Sequence, residues 1–171
     1  HGCFEPAELT GGDTFDLSIV DGQLLVVLGD ATGHGIAPAL SVTQMHVMLR
    51  MAFRLGADLE VAFAQVNDQL ADTLPDDRFI TAFIGLLDPA THRLRFVSAG
   101  QGPILHFQAA AGRFARYPPT SFPLGAMHLP APYMAYDLPA GGKRIMQKAE
   151  GFRYTIVKGE IIVKDGTMTD A

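Results

Sequence analysis

Residues 11–35 read GGDTFDLSIVDGQLLVVLGDATGHG. From Asp13 to Val20, apolar Phe15, Leu17 and Ile19 alternate with Asp16 and Ser18, the period-two pattern of a half-buried strand. Asp21-Gly22 is a strong hairpin signal. Leu24-Leu25-Val26-Val27-Leu28 is a continuous apolar run and predicts a strand buried on both faces. In an antiparallel hairpin the start of the first strand lies beside the end of the second. Asp13 opens the first strand and Asp30 closes the second, so the two carboxylates are expected to meet at one end of a sheet. Clustered carboxylates repel unless something positive sits between them. Oxygen ligands of this kind suit hard divalent cations, Mg²⁺ or Mn²⁺. Gly29, Gly33 and Gly35 let the backbone approach closely, so a main-chain carbonyl can complete the coordination. Taken singly, Asp30 reads as a turn or capping residue and Asp13 as a strand-end charge. Taken together within this glycine pattern, they read as functional.

Two helices follow. From Ile36 to Leu55, polar Thr43, His46, Arg50 and Arg54 recur at three- and four-residue steps and form a stripe, which puts His46 toward solvent. The amides at the N-terminus of this helix favour an anion nearby. Asp58 is placed to cap a second helix with Leu59, Phe63, Val66, Leu70 and Leu74 on one face. Met45, Met48 and Met51 read as core filler. Strands are then expected at Phe79–Leu87, Arg93–Ala99, Ile104–Gln108, Phe114–Tyr117 and Tyr133–Leu138. A proline-rich loop spans Pro118–Pro132, and a hairpin closes the chain at Tyr154–Val157 and Glu160–Val163. Segregated helices and hairpin-linked strands point to an α+β layered sandwich, not a doubly wound parallel sheet.

The bulk composition narrows the function classes. The 171 residues suit one domain with a real core, and 48% hydrophobic with 18% charged residues is ordinary for a globular chain. A net charge of −5, with no basic run, argues against nucleic acid as a partner. The lone Cys3 excludes an internal disulfide framework and fits a reducing, cytoplasmic compartment. No apolar run reaches the roughly 20 residues that cross a bilayer, and no signal peptide opens the chain.

Other chemical templates fit poorly. Gly33-His34-Gly35 between a strand and a helix hints at a dinucleotide site, but Pro38 stands where the third glycine belongs. No P-loop lysine, zinc-protease helix or nucleophile elbow is present. His34 is open between donating to a phosphate, capping the helix and facing solvent.

Residues from about Phe4 to Gly141 resemble the SpoIIE-like branch of the bacterial metal-dependent (PPM-type) protein serine/threonine phosphatases. The resemblance rests on Pro6-Ala7-Glu8-Leu9-Thr10-Gly11-Gly12-Asp13, on Gly29 to Gly35 with Pro38-Ala39-Leu40, and on Phe79-Ile80-Thr81-Ala82-Phe83 with Gly85. Leu87-Asp88-Pro89-Ala90-Thr91, Ala99-Gly100-Gln101-Gly102-Pro103, Pro123-Leu124-Gly125 and Leu138-Pro139-Ala140-Gly141 complete it. It implies a four-layer αββα sandwich and a two-metal site with Asp13, Asp30 and the carbonyl of Ala31 as ligands. It also implies attack by a metal-activated water on phosphoserine or phosphothreonine, while Gly33, His34 and Gly35 stand as phosphate-contact candidates on the local reading of the helix start alone. The expected ions are two of Mn²⁺ or Mg²⁺, and the implied substrate is a phosphorylated anti-sigma-factor antagonist.

The chain departs from that pattern after Gly141. The family follows with an apolar strand whose aspartate binds a metal, whereas residues 142–151 offer only Glu150. Gln101 stands where the family usually has histidine. Residues 151–171 resemble instead the C-terminal strands of amidohydrolases related to D-aminoacylase, without their metal ligands. The expected organisation is a phosphatase-like domain at 1–141, incomplete at both ends and following a regulatory domain, with a divergent tail at 142–171. Three functions follow as alternatives: an active phosphatase, a catalytically weak module that binds a phosphoprotein, and an amidohydrolase fragment. The last needs clustered histidines, which the scattered His34, His46, His92, His106 and His128 do not supply.

Overall fold

The computed structural model describes residues 10–129 in full and the backbone at 136–139, 154–157, 160–164 and 167–168. Cys3, Glu150 and the 142–151 stretch lie outside the described residues. The alternating segment is strand β1, Asp13–Val20, and the apolar run is β2, Gln23–Ala31. Asp21 and Gly22 join them with φ angles of 47° and 79°, the doubly positive geometry of a type I′ turn, whose twist matches the flanking strands. Helices α1, Ile36–Arg54, and α2, Leu59–Thr73, follow. Strands β3 (Ile80–Asp88), β4 (Arg93–Ala99), β5 (Ile104–Gln108), β6 (Arg113–Tyr117) and β7 (Tyr136–Pro139) come next, then β8 (Tyr154–Val157), β9 (Glu160–Lys164) and β10 (Thr167–Met168). A five-stranded antiparallel sheet has the order β1-β2-β3-β4-β7, β5 and β6 form a hairpin, and β10-β9-β8 form a small sheet. Among the described residues, no helix is long and apolar enough to cross a membrane.

Both helices cover one face of the large sheet. Leu25 and Val27 of β2, Ile80, Ala82 and Ile84 of β3, and Val97 and Ala99 of β4 are buried there against Met45 and Leu49 of α1 and Phe63 and Leu70 of α2. The expected α2 face is the buried one. Asp58 sits at the N-cap of α2 but makes no side-chain cap bond, contrary to expectation; its carbonyl accepts the Ala62 N–H at 2.8 Å instead. Met45 is core and Met48 packs against it, whereas Met51 lies on the outer side of α1 and is exposed.

The opposite face of the sheet carries a smaller cluster. Phe83, Leu94 and Phe96 are buried, with Val26, Leu87, Ile104 and Tyr117 packed on them. The β5–β6 hairpin therefore covers this face near β3 and β4. Toward β1 it stays open among the described residues: Leu17, Ile19 and Leu28 are 43%, 72% and 41% exposed. The expectation that β2 is buried on both faces is corrected accordingly. An apolar run marks two-sided burial only where both faces are covered, and here the helix side alone is complete.

Three polar links tie the layers together. Arg95 of β4 donates to both Glu60 carboxylate oxygens on α2, at 2.6 and 2.7 Å. Fully buried Asn67 donates to the Met127 carbonyl at 3.0 Å and accepts from the Gly125 amide at 3.2 Å, seating the Pro123-Leu124-Gly125 segment. Ile80 and Leu124 exchange backbone hydrogen bonds there. The third link joins α1 to β1. Arg50 Nε and Nη2 donate to buried Asp16 at 2.8 and 2.6 Å, and His46 Nε2 lies 2.9 Å from Asp16 Oδ2. His46 is thus not a solvent-facing position. One turn apart, it and Arg50 reach over the sheet edge to a carboxylate that the helix face buries.

The Arg50 hydrogen bonds, against the opposing effect of burial, hold the Asp16 carboxyl well below the usual aspartate range, with His46 adding to the effect. A depressed carboxyl contributes stability that is complete above its unfolded value and is lost as pH falls through its folded one. We expect Asp16→Ala to lower unfolding free energy by about 2 kcal/mol at neutral pH, since a bidentate charged bond is removed from a half-exposed arginine. Urea titration at pH 7 checks it. The gap between variant and wild type should narrow only in strong acid, below the ordinary aspartate value of 3.8.

Candidate metal centre

The hairpin register pairs Asp13 directly with Asp30. The same ladder continues across the sheet, because Asp30 is the cross-strand partner of Thr81 on β3. Directly paired residues share a face. Asp16, on the same strand as Asp13 but three residues on, has the opposite parity and points to the helices. Asp13, Asp30 and Thr81 therefore stand in a row at one end of the sheet, on the face away from α1 and α2.

The row extends one element further. β4 ends at Ala99, Ala82 forms a parallel bridge with Gly100, and the next residue, Gln101, brings its side chain back to the row. Thr81 Oγ1 donates to Gln101 Oε1 at 2.7 Å, and the same hydroxyl oxygen lies 3.4 Å from the Asp30 carbonyl oxygen. Ser98, fully buried, donates its hydroxyl to the Gln101 carbonyl. The four-residue row Asp13, Asp30, Thr81, Gln101 is polar in a sheet whose other positions are mostly apolar. The hairpin argument brought the first two members together. Thr81 and Gln101 needed the β2–β3 and β3–β4 registers, which no turn signal of the Asp-Gly kind announces.

Like charges directly opposite in a sheet are destabilising. The Asp30 carboxyl is accordingly pushed above its ordinary value, first by desolvation and second by the charge on Asp13. The donors here are oxygens, and a hard divalent cation is the natural counter-charge. Among the described residues, no group of three or more histidine, cysteine or acidic side chains surrounds a common point. The two paired carboxylates are of the oxygen-donor type that would suit such a cation.

The backbone beside the pair is tightly packed. Ala31 N–H donates to the Gly12 carbonyl at 3.0 Å. A Cβ on Gly12 would lie 2.7 Å from the Ala31 carbonyl oxygen and 3.1 Å from Pro38 Cβ, so only glycine lets these segments meet. Beyond Ala31 the chain turns through Gly33 and Gly35, at φ 94° and 85°, into the first turn of α1. Gly35 is the N-cap and supplies no side-chain cap bond, and no acidic residue occupies the first turn. The exposed His34 lies between these two glycines. A cavity of about 360 Å³, lined by Gly102, Pro103, Arg116, Pro118 and Pro119, adjoins the Gln101 loop.

Comparison with known proteins gives a family and a fold. A family model described as Stage II sporulation protein E (SpoIIE) matches residues 20–146. The matched stretch includes Asp30, Thr81 and Gln101 and begins after Asp13. The RsbU and RsbW domains of a Mycobacterium tuberculosis protein are similar at 25% identity and a TM-score of 0.66, over 80% of this chain and 38% of that one. The PP2C phosphatase domain with a regulatory fragment of Bacillus subtilis SpoIIE is similar in fold at 15% identity and a TM-score of 0.66, over 77% and 38%. RsbX, solved in complex with magnesium, is similar in fold at 20% identity and a TM-score of 0.62, over 79% and 63%. This chain spans less than two thirds of the length of each. Its α+β antiparallel architecture is that of the PP2C-like phosphatase domains.

The raised Asp30 carboxyl has a consequence for stability. Its folded state binds the proton more tightly than the unfolded chain, so the stability it contributes is present below the unfolded value and is lost as pH rises through the folded value. Metal-free Asp30→Asn should therefore be more stable than wild type at neutral pH, by about 0.2–1 kcal/mol, or about 1–3 °C in Tm. The difference should shrink on acidification toward 3.8. Scanning calorimetry in chelator reads both, and a less stable variant at neutral pH contradicts the expectation.

Proposed function

This chain belongs to the SpoIIE family, and we propose that it is a divalent-metal-dependent phosphatase acting on phosphoserine or phosphothreonine in a protein. The observation that carries the reading is the direct cross-strand pairing of Asp13 and Asp30. It leaves two negative charges adjacent, with the Asp30 carboxyl pushed upward. Asp13, Asp30 and the Ala31 carbonyl would hold Mn²⁺ or Mg²⁺, two ions in all, with Glu150 as a further ligand. A divalent cation held there supplies Lewis acidity and a nucleophilic water at neutral pH, so no protein nucleophile is needed.

The chain's own groups do the rest. The carboxylates fix the charge at the sheet end. The open amides at the start of α1 face incoming anion, and Gly33, His34 and Gly35 present backbone and imidazole donors to the phosphate. Among the described residues the sheet end at Asp13 and Asp30 is exposed, which leaves room there for a folded phosphoprotein. A phosphorylated anti-sigma-factor antagonist in the cytoplasm is the proposed substrate, in keeping with the likeness to RsbU and RsbW domains. We assign the phosphatase domain to 1–141 and treat 142–171 as a separate tail.

A second reading has its own support. With only two carboxylates together among the described residues, the site also suits a phosphoprotein-binding module with little turnover. Hydrolysis of p-nitrophenyl phosphate with and without Mn²⁺ separates the two. The phosphatase reading expects a Mn²⁺-dependent rate that falls about 100-fold or more in Asp30→Asn, and release of phosphate from phosphoserine peptides but not phosphotyrosine ones. A wild-type rate no higher than that of Asp30→Asn leaves the binding module.

A further inference from the structure

We propose that Gln101 is a phosphate-binding residue of this same site, a neutral donor held in place by Thr81 and directed at a phosphoryl oxygen. The proposal rests on the Asp13–Asp30 cation site above and adds to it the group that meets the substrate anion. Gln101 is fixed at both ends. Its carbonyl accepts the Ser98 hydroxyl, and its side-chain Oε1 accepts the Thr81 hydroxyl at 2.7 Å. The flanking backbone is tied as well: the Gly100 amide donates to the Ser121 carbonyl at 2.9 Å, and a Cβ on Gly102 would press on Pro119 at 3.1 Å. A threonine hydroxyl has one hydrogen. At 2.7 Å to Gln101 against 3.4 Å to the Asp30 carbonyl, that hydrogen goes to Gln101.

The consequence is an oriented amide. With Oε1 engaged, the two N–H groups of Nε2 remain, and among the described residues no acceptor meets them. Thr81 is the strand neighbour of Asp30, one inter-strand spacing of about 4.8 Å away. The free donors therefore stand at the same sheet end as the carboxylate pair. Two carboxylates attract a cation but repel phosphate, so a site of this kind needs donors that carry no negative charge. The Gln101 amide supplies two such donors, and they are preorganised, which keeps their ordering entropy out of the binding step.

The test uses the full chain with Mn²⁺ alone and then with inorganic phosphate, both by calorimetry. Gln101→Ala removes the amide. Gln101→Glu keeps an acceptor for Thr81 but replaces the donors with a negative charge. Thr81→Val leaves the amide and removes its tether. We expect Gln101→Ala and Thr81→Val to bind Mn²⁺ within about threefold of wild type, and Gln101→Glu, which adds a third carboxylate, to bind it more tightly. Phosphate affinity of the Mn²⁺-loaded protein should drop about 10- to 100-fold in both Gln101 variants, and less in Thr81→Val. Circular dichroism confirms that each variant is folded, and Gln101→Met, which keeps the length without donors or charge, carries the test should Gln101→Ala be unstable. Unchanged phosphate affinity in folded Gln101 variants that still bind Mn²⁺ overturns the role of Gln101 and leaves the cation site standing. Loss of Mn²⁺ binding in folded Gln101→Ala also overturns it, since the residue then serves the cation. A wild-type chain that binds no Mn²⁺ removes both.

Discussion

The pairing of Asp13 with Asp30 is a constraint of register, and the site depends on it. Side chains on a strand alternate between faces, so a slip of one residue would carry Asp13 to the helix side and Asp16 to the open side. Two features oppose that slip. The Asp21-Gly22 turn has a geometry that fixes a two-residue loop. Asp16 is held under α1 by Arg50 and His46, and because it has the opposite parity to Asp13, holding one inward holds the other outward. An ion pair that looks like packing between a helix and an edge strand thus determines which face receives the acidic pair.

The acidic pair lowers the stability of the fold that carries it. Adjacent like charges oppose folding, and desolvation of Asp30 adds to that. The compensation lies on the other face, where Leu25, Val27, Ile80 and Ile84 are sealed against α1 and α2. Burial of this kind contributes on the order of 1.5–3 kcal/mol per large side chain, well above the repulsion of one exposed pair. The site therefore sits where the sheet can afford strain: at the end of the strands that bear the core, on the side that the helices do not cover.

Much of this arrangement is legible in the residues themselves. The alternation in β1, the Asp-Gly turn and the apolar β2 run gave the hairpin, and the hairpin alone implies that Asp13 meets Asp30. The α2 face follows from its four-residue periodicity. What escapes local reading is contact between distant segments. The Leu24–Leu28 run does not reveal that only its helix side is covered. His46 and Arg50 read as a solvated stripe because their partner, Asp16, is an edge-strand residue far back in the chain. Nothing in the α2 sequence singles out Asn67, although it seats the Pro123-Leu124-Gly125 segment. Thr81 joins the site through the long-range β2–β3 register and Gln101 through the β3–β4 hairpin that follows it, and nothing within either segment marks that meeting.

The central claim is that the Asp13–Asp30 pair is a cation site. The most direct measurement is anomalous X-ray diffraction from crystals grown with Mn²⁺. The account predicts an anomalous peak beside both carboxylates, within about 2.0–2.6 Å of their oxygens. A well-occupied peak elsewhere, with the two carboxylates bare, would contradict it.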